Sequence, residues 1–223
     1  MKTSFLIIYL FLIAYPVFSQ GESAVFLSAG ANKMSGDIGG DNLKSLFKSN
    51  LGFGSSVGFR YVFPSNFGFR LFGGYEDYRG KDTQKSNDER THFFSGDVTK
   101  IGTNLEYVIY GNRFIDKQIS HSLYAFGGIV AVFYNSLFDN DVKIKGSTAG
   151  LSIGAAYQYR LSEKFSVGVE VTQTMFLTDK MDGYFPDISS NKNKDTAFDV
   201  KVVLSYYIPF SIKTGGKWEI MDN

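Results

Sequence analysis

The stretch "LGFGSSVGFRYVFPSNFGFRLFGGY", residues 51–75, decides the fold. Its first half places Leu51, Phe53, Val57, Phe59, Tyr61 and Phe63 at odd positions, with Ser55 as the gap. Gly52, Gly54, Ser56, Gly58 and Arg60 fill the even positions. Beyond the hinge Pro64-Ser65-Asn66 the odd series resumes with Phe67, Phe69, Leu71 and Tyr75, opposite Gly68, Arg70, Gly74 and Glu76. A period of two marks β-strands with two unlike faces. One face is greasy and the other is glycine and charge, so the medium on each side has to be identified.

The same alternation recurs along the chain. Thr99, Ile101, Thr103, Leu105, Tyr107 and Ile109 stand against Lys100, Gly102, Asn104 and Glu106. Leu151, Ile153, Ala155, Tyr157 and Tyr159 oppose Ser152, Gly154, Gln158 and Arg160. Phe165, Val167, Val169, Val171, Met175 and Leu177 oppose Ser166, Gly168, Glu170, Thr172 and Thr174. Phe198, Val200, Val202, Leu204, Tyr206, Ile208 and Phe210 oppose Asp199, Lys201 and Ser205. Residues 24–32 and 123–134 are strand-like without a clear facing, which brings the expected strands to eight.

In the six well-patterned strands the apolar faces carry no charge over their central spans. The opposite faces carry Arg60, Arg70, Glu76, Lys100, Glu106, Arg160, Glu170, Asp199 and Lys201. A single Arg or Lys facing lipid at the midplane costs about 2–4 kcal/mol, so the apolar face meets lipid and the charged face points inward. Eight strands enclose a space that side chains can just fill. Gly and Ser there leave room for long charged chains, whose mixed signs allow the pairing that buried charge requires. The expected fold is an all-β, eight-stranded antiparallel up-and-down transmembrane barrel of the OmpA/OmpX sort. A soluble lipocalin-like barrel would put glycine on a solvent face, where it weakens strands for no gain.

Connections alternate in length. Residues 64–66, 111–120 and 162–164 are short or moderate, while 33–50, 79–96, 136–147 and 179–197 are longer and polar. Outer-membrane barrels have short periplasmic turns and longer extracellular loops, which places both termini in the periplasm. Tyr61, Phe63, Phe67, Tyr107, Tyr110, Tyr157, Tyr159, Tyr206 and Phe210 gather at the short-turn end as an interfacial girdle would.

The start, "MKTSFLIIYLFLIAYPVFSQ", has Lys2 and then an apolar run over residues 5–15, shorter than the ~20 residues of a spanning helix. With Val17 and Ser19 before Gln20 it reads as a signal peptide of residues 1–19. The barrel is expected over 20–212, with a periplasmic tail over 213–223. A formal charge of +1 in 223 residues gives no field for nucleic acid. The absence of Cys excludes disulfides, Cys-zinc sites, thiol catalysis and a lipoprotein anchor.

Chemical candidates are sparse. "GFGSSVG" is not followed by a helix that could hold a phosphate. His92 and His121 sit in expected connections without neighbouring zinc ligands. Asp139-Asn140-Asp141 and the set Asp179, Asp182 and Asp187 lack EF-hand spacing. Glu106 and Glu170 in a charge-balanced lumen are structural. The expectation is no enzyme, no cofactor, no metal and no small-molecule substrate, with outer-membrane lipid as the first partner.

Three stretches, taken in order, resemble one family, the PorG-like outer-membrane barrels of Bacteroidetes. "MSGDIGG" (34–40) follows the first strand as a Tyr-x-Gly-Asp-Leu-type motif does there, and "NLEYVIYG" (104–111) resembles a Leu-Glu-Tyr-Asn-Phe-type end of the fourth strand. "YQYRLSEKFSVGVEVTQTMFLTDKMDGYF" (157–185) resembles the most specific block, departing from it at Lys180 and Gly183. The resemblance implies an anchor or assembly component of the type IX secretion machinery that contacts periplasmic secretion-ring proteins. The rival is a stand-alone OmpA/OmpX-type barrel that binds a ligand or surface through its extracellular loops. For the periplasmic role the tail "SIKTGGKWEIMDN" offers Trp218, Ile220 and Met221 as contacts, alongside the 111–120 turn.

Overall fold

The computed structural model describes residues 21–35, 51–81, 93–111, 120–138, 142–178, 181 and 195–208. Residues 1–19, expected as a signal peptide, and Trp218, Ile220 and Met221 of the expected tail lie outside them, as do Phe210, His92, Asp139 to Asp141, Asp179, Asp182 and Asp187. Eight strands follow in order: β1 (Glu22–Ser35), β2 (Gly52–Val62), β3 (Phe67–Lys81), β4 (Phe93–Tyr110), β5 (His121–Phe138), β6 (Val142–Arg160), β7 (Phe165–Phe176) and β8 (Thr196–Ile208). Each is antiparallel to the next, and β8 returns to β1, from Ser23↔Ile208 to Ser35↔Thr196, closing the barrel.

Local chemistry explains the opening stretch. Phe63 N–H donates to Phe67 O (2.7 Å) and Asn66 N–H to Phe63 O (3.3 Å), with Asn66 at φ 69°. Pro64 presets the first turn residue, and Asn tolerates the left-handed conformation that closes a three-residue hairpin. The register then sets Arg60 opposite Arg70 and Phe59 opposite Leu71.

The outward face is apolar nearly all round, with Leu105 73%, Ile153 64% and Phe53 61% exposed. A water-soluble protein does not leave such a continuous apolar surface open, so this belt meets lipid. At its turn end aromatic rings pair across strands: Phe67 with Tyr107 (5.1 Å), Phe165 with Tyr206 (5.2 Å) and His121 with Tyr159 (5.1 Å). Tyr61, on the same face, is itself covered, with Phe63 at 4.9 Å and Phe69 at 5.8 Å.

The two undecided strands acquire a facing. In β1, Val25 and Leu27 are exposed while Ala24, Phe26, Ser28 and Asn32 are buried. In β5, Leu123, Ile129 and Phe133 face out, and Tyr124, Phe126, Val130, Val132 and Tyr134 face in. Both faces of β5 are apolar, which is why alternation alone could not orient it.

Strand extends into two expected loops, and fills most of the one at 136–147. β3 runs on to Lys81 before β4 begins at Phe93, and β5 and β6 leave only residues 139–141 between them. His121 therefore opens β5 rather than lying in a connection. Above the lipid belt the outward positions turn polar, as at Lys143, Lys145 and Ser147, so the greasy signal stops while the strand continues. The result is a wall of β3 to β6 that rises past the shorter half of the barrel.

The interior is layered. At the loop end Met34, Tyr78, Phe94, Val98, Val132, Tyr134, Phe176 and Met181 pack into an apolar cluster. Met181 is fixed there: its N–H donates to Asp195 Oδ2 (2.9 Å) and its carbonyl accepts from Ser136 Oγ (2.6 Å). At the turn end Val62, Val108, Tyr124, Phe126 and Ala156 form a second cluster. The ionic residues other than Glu22 and Arg160 lie between and against these clusters.

Candidate functional site: the ionic lumen

The cross-strand partners Arg60 and Arg70 would repel one another if nothing intervened. Glu106, reaching in from β4, accepts from both: Arg60 Nε to Oε2 at 2.5 Å and Arg70 Nε to Oε1 at 2.8 Å. Arg70 Nη1 also meets Glu170 Oε2 at 2.5 Å across the lumen, and Arg60 Nη1 donates to Gln158 Oε1 at 2.8 Å. Charged hydrogen bonds of this kind are the strong ones, and Glu106 is only 1% exposed.

Aromatic rings complete this belt. The Arg60 guanidinium lies 4.0 Å from the centre of Tyr124, and that of Arg70 lies 4.8 Å from Phe26 and 4.7 Å from Phe126. Desolvated cation–π contacts are worth up to about 2 kcal/mol each. Glycine makes space for those rings. A Cβ at Gly58, Gly102 or Gly154 would come within 2.5, 2.7 and 2.4 Å of Phe26, Phe72 and Phe126. Room for a charged chain, the expected use of lumen glycine, describes Gly54 beside Glu76 (2.6 Å) but not these three.

One layer toward the loop end, Glu76 takes Lys201 Nζ at 2.5 Å and also receives Lys100 Nζ and the Tyr78 hydroxyl. Asp199 Oδ2 lies 3.7 Å from Lys100 Nζ. Asp199 Oδ1 and the amide of its cross-strand neighbour Asn32 are buried without a hydrogen-bond partner among the described residues. A cavity of about 30 Å³, bordered by Arg70, Lys100, Glu170, Asp199 and Lys201, separates the two layers. It is polar and large enough for a water.

Arg160 stands apart from both layers. It sits at the turn-end mouth, 2.5 Å from Glu22 Oε1 and 3.6 Å from the ring centre of Tyr207. With Glu22 the two layers and the turn-end mouth hold five carboxylates against five cations, and buried Asp195 adds a further carboxylate at the loop end. The place of Glu22 on the inner face follows from the register of β1, which the sequence left open. Tyr78, Tyr124 and Gln158 were likewise not singled out. Inward parity on β3 is the signal for Tyr78, alternation already puts Gln158 on the inner face of β6, and β5, apolar on both faces, carries no signal for Tyr124.

Chemically, each of the charges in the two central layers is engaged by another. The set fastens β2, β3, β4, β7 and β8 to one another rather than offering a free acid, base or nucleophile. No group of three or more His, Asp or Glu suited to a metal occurs among the described residues. His121 Nδ1 engages the Tyr157 hydroxyl at the barrel's exposed turn end.

No family model matches the chain, and no curated protein is similar to it. Solved structures are. A major outer membrane protein from Thermus thermophilus is 14% identical with a TM-score of 0.54, covering 83% of this chain and 99% of that one. Neisserial surface protein A is 13% identical with a TM-score of 0.50, covering 82% of this chain and 95% of that one. At such identities the likeness speaks for architecture. The chain thus has the closed, eight-stranded antiparallel fold of outer-membrane barrels.

Proposed function

We propose that this chain is a non-enzymatic outer-membrane barrel that works by docking partners rather than by passing solutes. The filled lumen carries this reading: two ion-paired layers pack against two apolar clusters, and the cavity between those layers is only about 30 Å³. In this reading residues 1–19 direct export, the turn end is periplasmic and the loop end lies outside.

The wall of β3 to β6 offers a docking surface at the loop end. β6 meets β7 only from Gly150 onward, so its residues 142–148 pair with β5 alone among the described strands. Leu177 N–H donates to Ala149 O (2.8 Å), so the Ala149 backbone points toward β7. By alternation the N–H groups of Lys143, Lys145 and Ser147 point to the same side, which no described strand covers. An extended partner segment adds there as a further strand, and Lys143 and Lys145 favour acidic side chains on it. Lys145→Pro removes one open-side donor without touching the β5 ladder. Capture of extracellular partners by whole cells should fall on that change; unchanged capture would remove the edge from consideration.

The second reading is the type IX secretion anchor, supported by the resemblance of residues 34–40, 104–111 and 157–185 and by the place where β8 ends. Ile208 pairs with Ser23, so β8 ends at the turn end. Trp218, Ile220 and Met221 are then the proposed contacts with periplasmic secretion-ring proteins. Cross-linking in native membranes with and without residues 213–223 tests it. Loss of periplasmic partners and of cargo export from the shortened chain is expected; full retention of both would reject the anchor.

A further inference from the structure

The outer face of the β3 to β6 wall changes character just above the lipid belt. Tyr78, Ser136 and Ile144 pack toward the interior, so their chain neighbours point outward. Asp77, Asp97, Asn135 and Lys145 then form one outward row across the four strands. Arg79 and Lys143 end the row beyond it. The row beneath holds Tyr75 and Phe133, both about half exposed, and belongs to the belt. Successive outward rows are about 7 Å apart along a strand, which sets the charges at the depth of lipid headgroups. Both acids are already engaged. Asp77 accepts from Phe53 N–H (2.5 Å) and Arg79 Nη2 (3.1 Å), and Asp97 accepts from the Tyr75 hydroxyl. Lys143 and Lys145 are exposed and have no anionic partner among the described residues. Together with Arg79 they border an open groove of about 360 Å³.

We propose that this groove binds the phosphate headgroup of a membrane lipid whose acyl chains lie against Tyr75 and Phe133 below it. Lys143 and Lys145 meet the phosphate from β6. Arg79 approaches from β3 and keeps further N–H donors beyond the one it gives to Asp77. The groove opens directly onto the belt, so a lipid reaches it without leaving the bilayer, whereas a soluble anion gains nothing from the apolar row. The site is one-sided. On β8 the outward series Phe198, Val200, Val202 and Leu204 carries no charge. The inference does not rest on the strand edge at 142–148, which offers backbone N–H groups to a protein segment, because the headgroup is met by side chains on the outer face.

The test uses the full chain in phosphatidylcholine vesicles, with a fluorophore on Phe133→Cys beneath the groove or on Val200→Cys on β8. Phosphatidylglycerol with brominated acyl chains is titrated in as the quencher. Brominated phosphatidylcholine is the reference at each position, so the ratio of the two cancels the depth of the label. A preference for phosphatidylglycerol is expected at position 133 and not at 200. Lys145→Gln should lower that preference about fivefold, equivalent to ~1 kcal/mol. Lys164→Gln makes the same change in net charge at the exposed 162–164 turn and should leave it unaltered. Lys143→Gln combined with Lys145→Gln should make position 133 behave like 200. Equal preference at the two positions, or a preference at 133 that survives the double change in a heat-modifiable barrel, overturns the proposal. Loss of the preference to inorganic phosphate, beyond its loss to sodium chloride at equal ionic strength, would mean that the groove takes a soluble anion and would overturn the lipid assignment.

Discussion

Glu106 shows what a single residue holds together. It is the one carboxylate shared by two adjacent arginines, at 2.5 and 2.8 Å. Glu106→Gln keeps the shape but leaves two buried guanidiniums with one full counter-charge between them. A loss of about 3–5 kcal/mol is expected, read as a lower urea midpoint for the folded barrel in vesicles. Replacing Arg60 and Glu106 together by apolar residues of similar volume should cost less than the two single changes combined. Glycine is tested in the same way. In Gly154→Ala the new Cβ lies 2.4 Å from the Phe126 ring and 2.5 Å from the Val171 carbonyl. The cost should be about 1–3 kcal/mol. Phe126→Leu should recover only part of it, because the carbonyl cannot move aside.

At the scale of the element, the β5–β6 hairpin separates strand from loop. The register runs unbroken from Phe138↔Val142 to His121↔Tyr159. If the upper part is strand with one open edge, amide exchange there should alternate. Ile144, Gly146 and Thr148 bond to β5 and should exchange slowly, whereas Lys143, Lys145 and Ser147 should exchange fast. Residue-resolved hydrogen exchange in nanodiscs checks this, and uniformly fast exchange over 142–148 would mean the wall does not persist. This element also marks where alternation ceased to be informative. Period two is visible in hydropathy only while one side meets lipid, and above the belt both sides are wet or mixed.

For the whole molecule, the layered interior predicts a sealed barrel. In planar bilayers the purified chain should give no resolved conductance steps at neutral pH. Reproducible steps of pore size would contradict the packing of Met34, Phe176 and Met181 over the ionic layers. The facing of the wall is checked by neighbouring labels. A fluorophore on Cys at position 153, where Ile153 is 64% exposed, should be strongly quenched by lipid-borne quenchers. One at position 152, where Ser152 is buried and donates to Asn104 Oδ1 (2.8 Å), should not. Equal quenching at both would break the register of β6.

Sequence alone determined the strand count, the antiparallel order and the lipid face of β2, β3, β4, β6, β7 and β8. The reason is that a bilayer on one side and a packed lumen on the other impose opposite polarity at every step of a period-two chain. It also put Arg60, Arg70 and Glu76 on the face opposite to Phe59, Phe69 and Tyr75. Only the tertiary structure decided which charge meets which. Glu106 and Glu170 both reach Arg70 from strands far apart in sequence, and that depends on strand register and barrel closure rather than on local pattern. The facing of β1 and β5, and with it Glu22, Phe26, Tyr124 and Phe126, was decided there too. On those strands the inner face is as apolar as the outer one, because aromatic rings rather than charges cover the arginines, and hydropathy cannot tell lipid from the underside of a guanidinium.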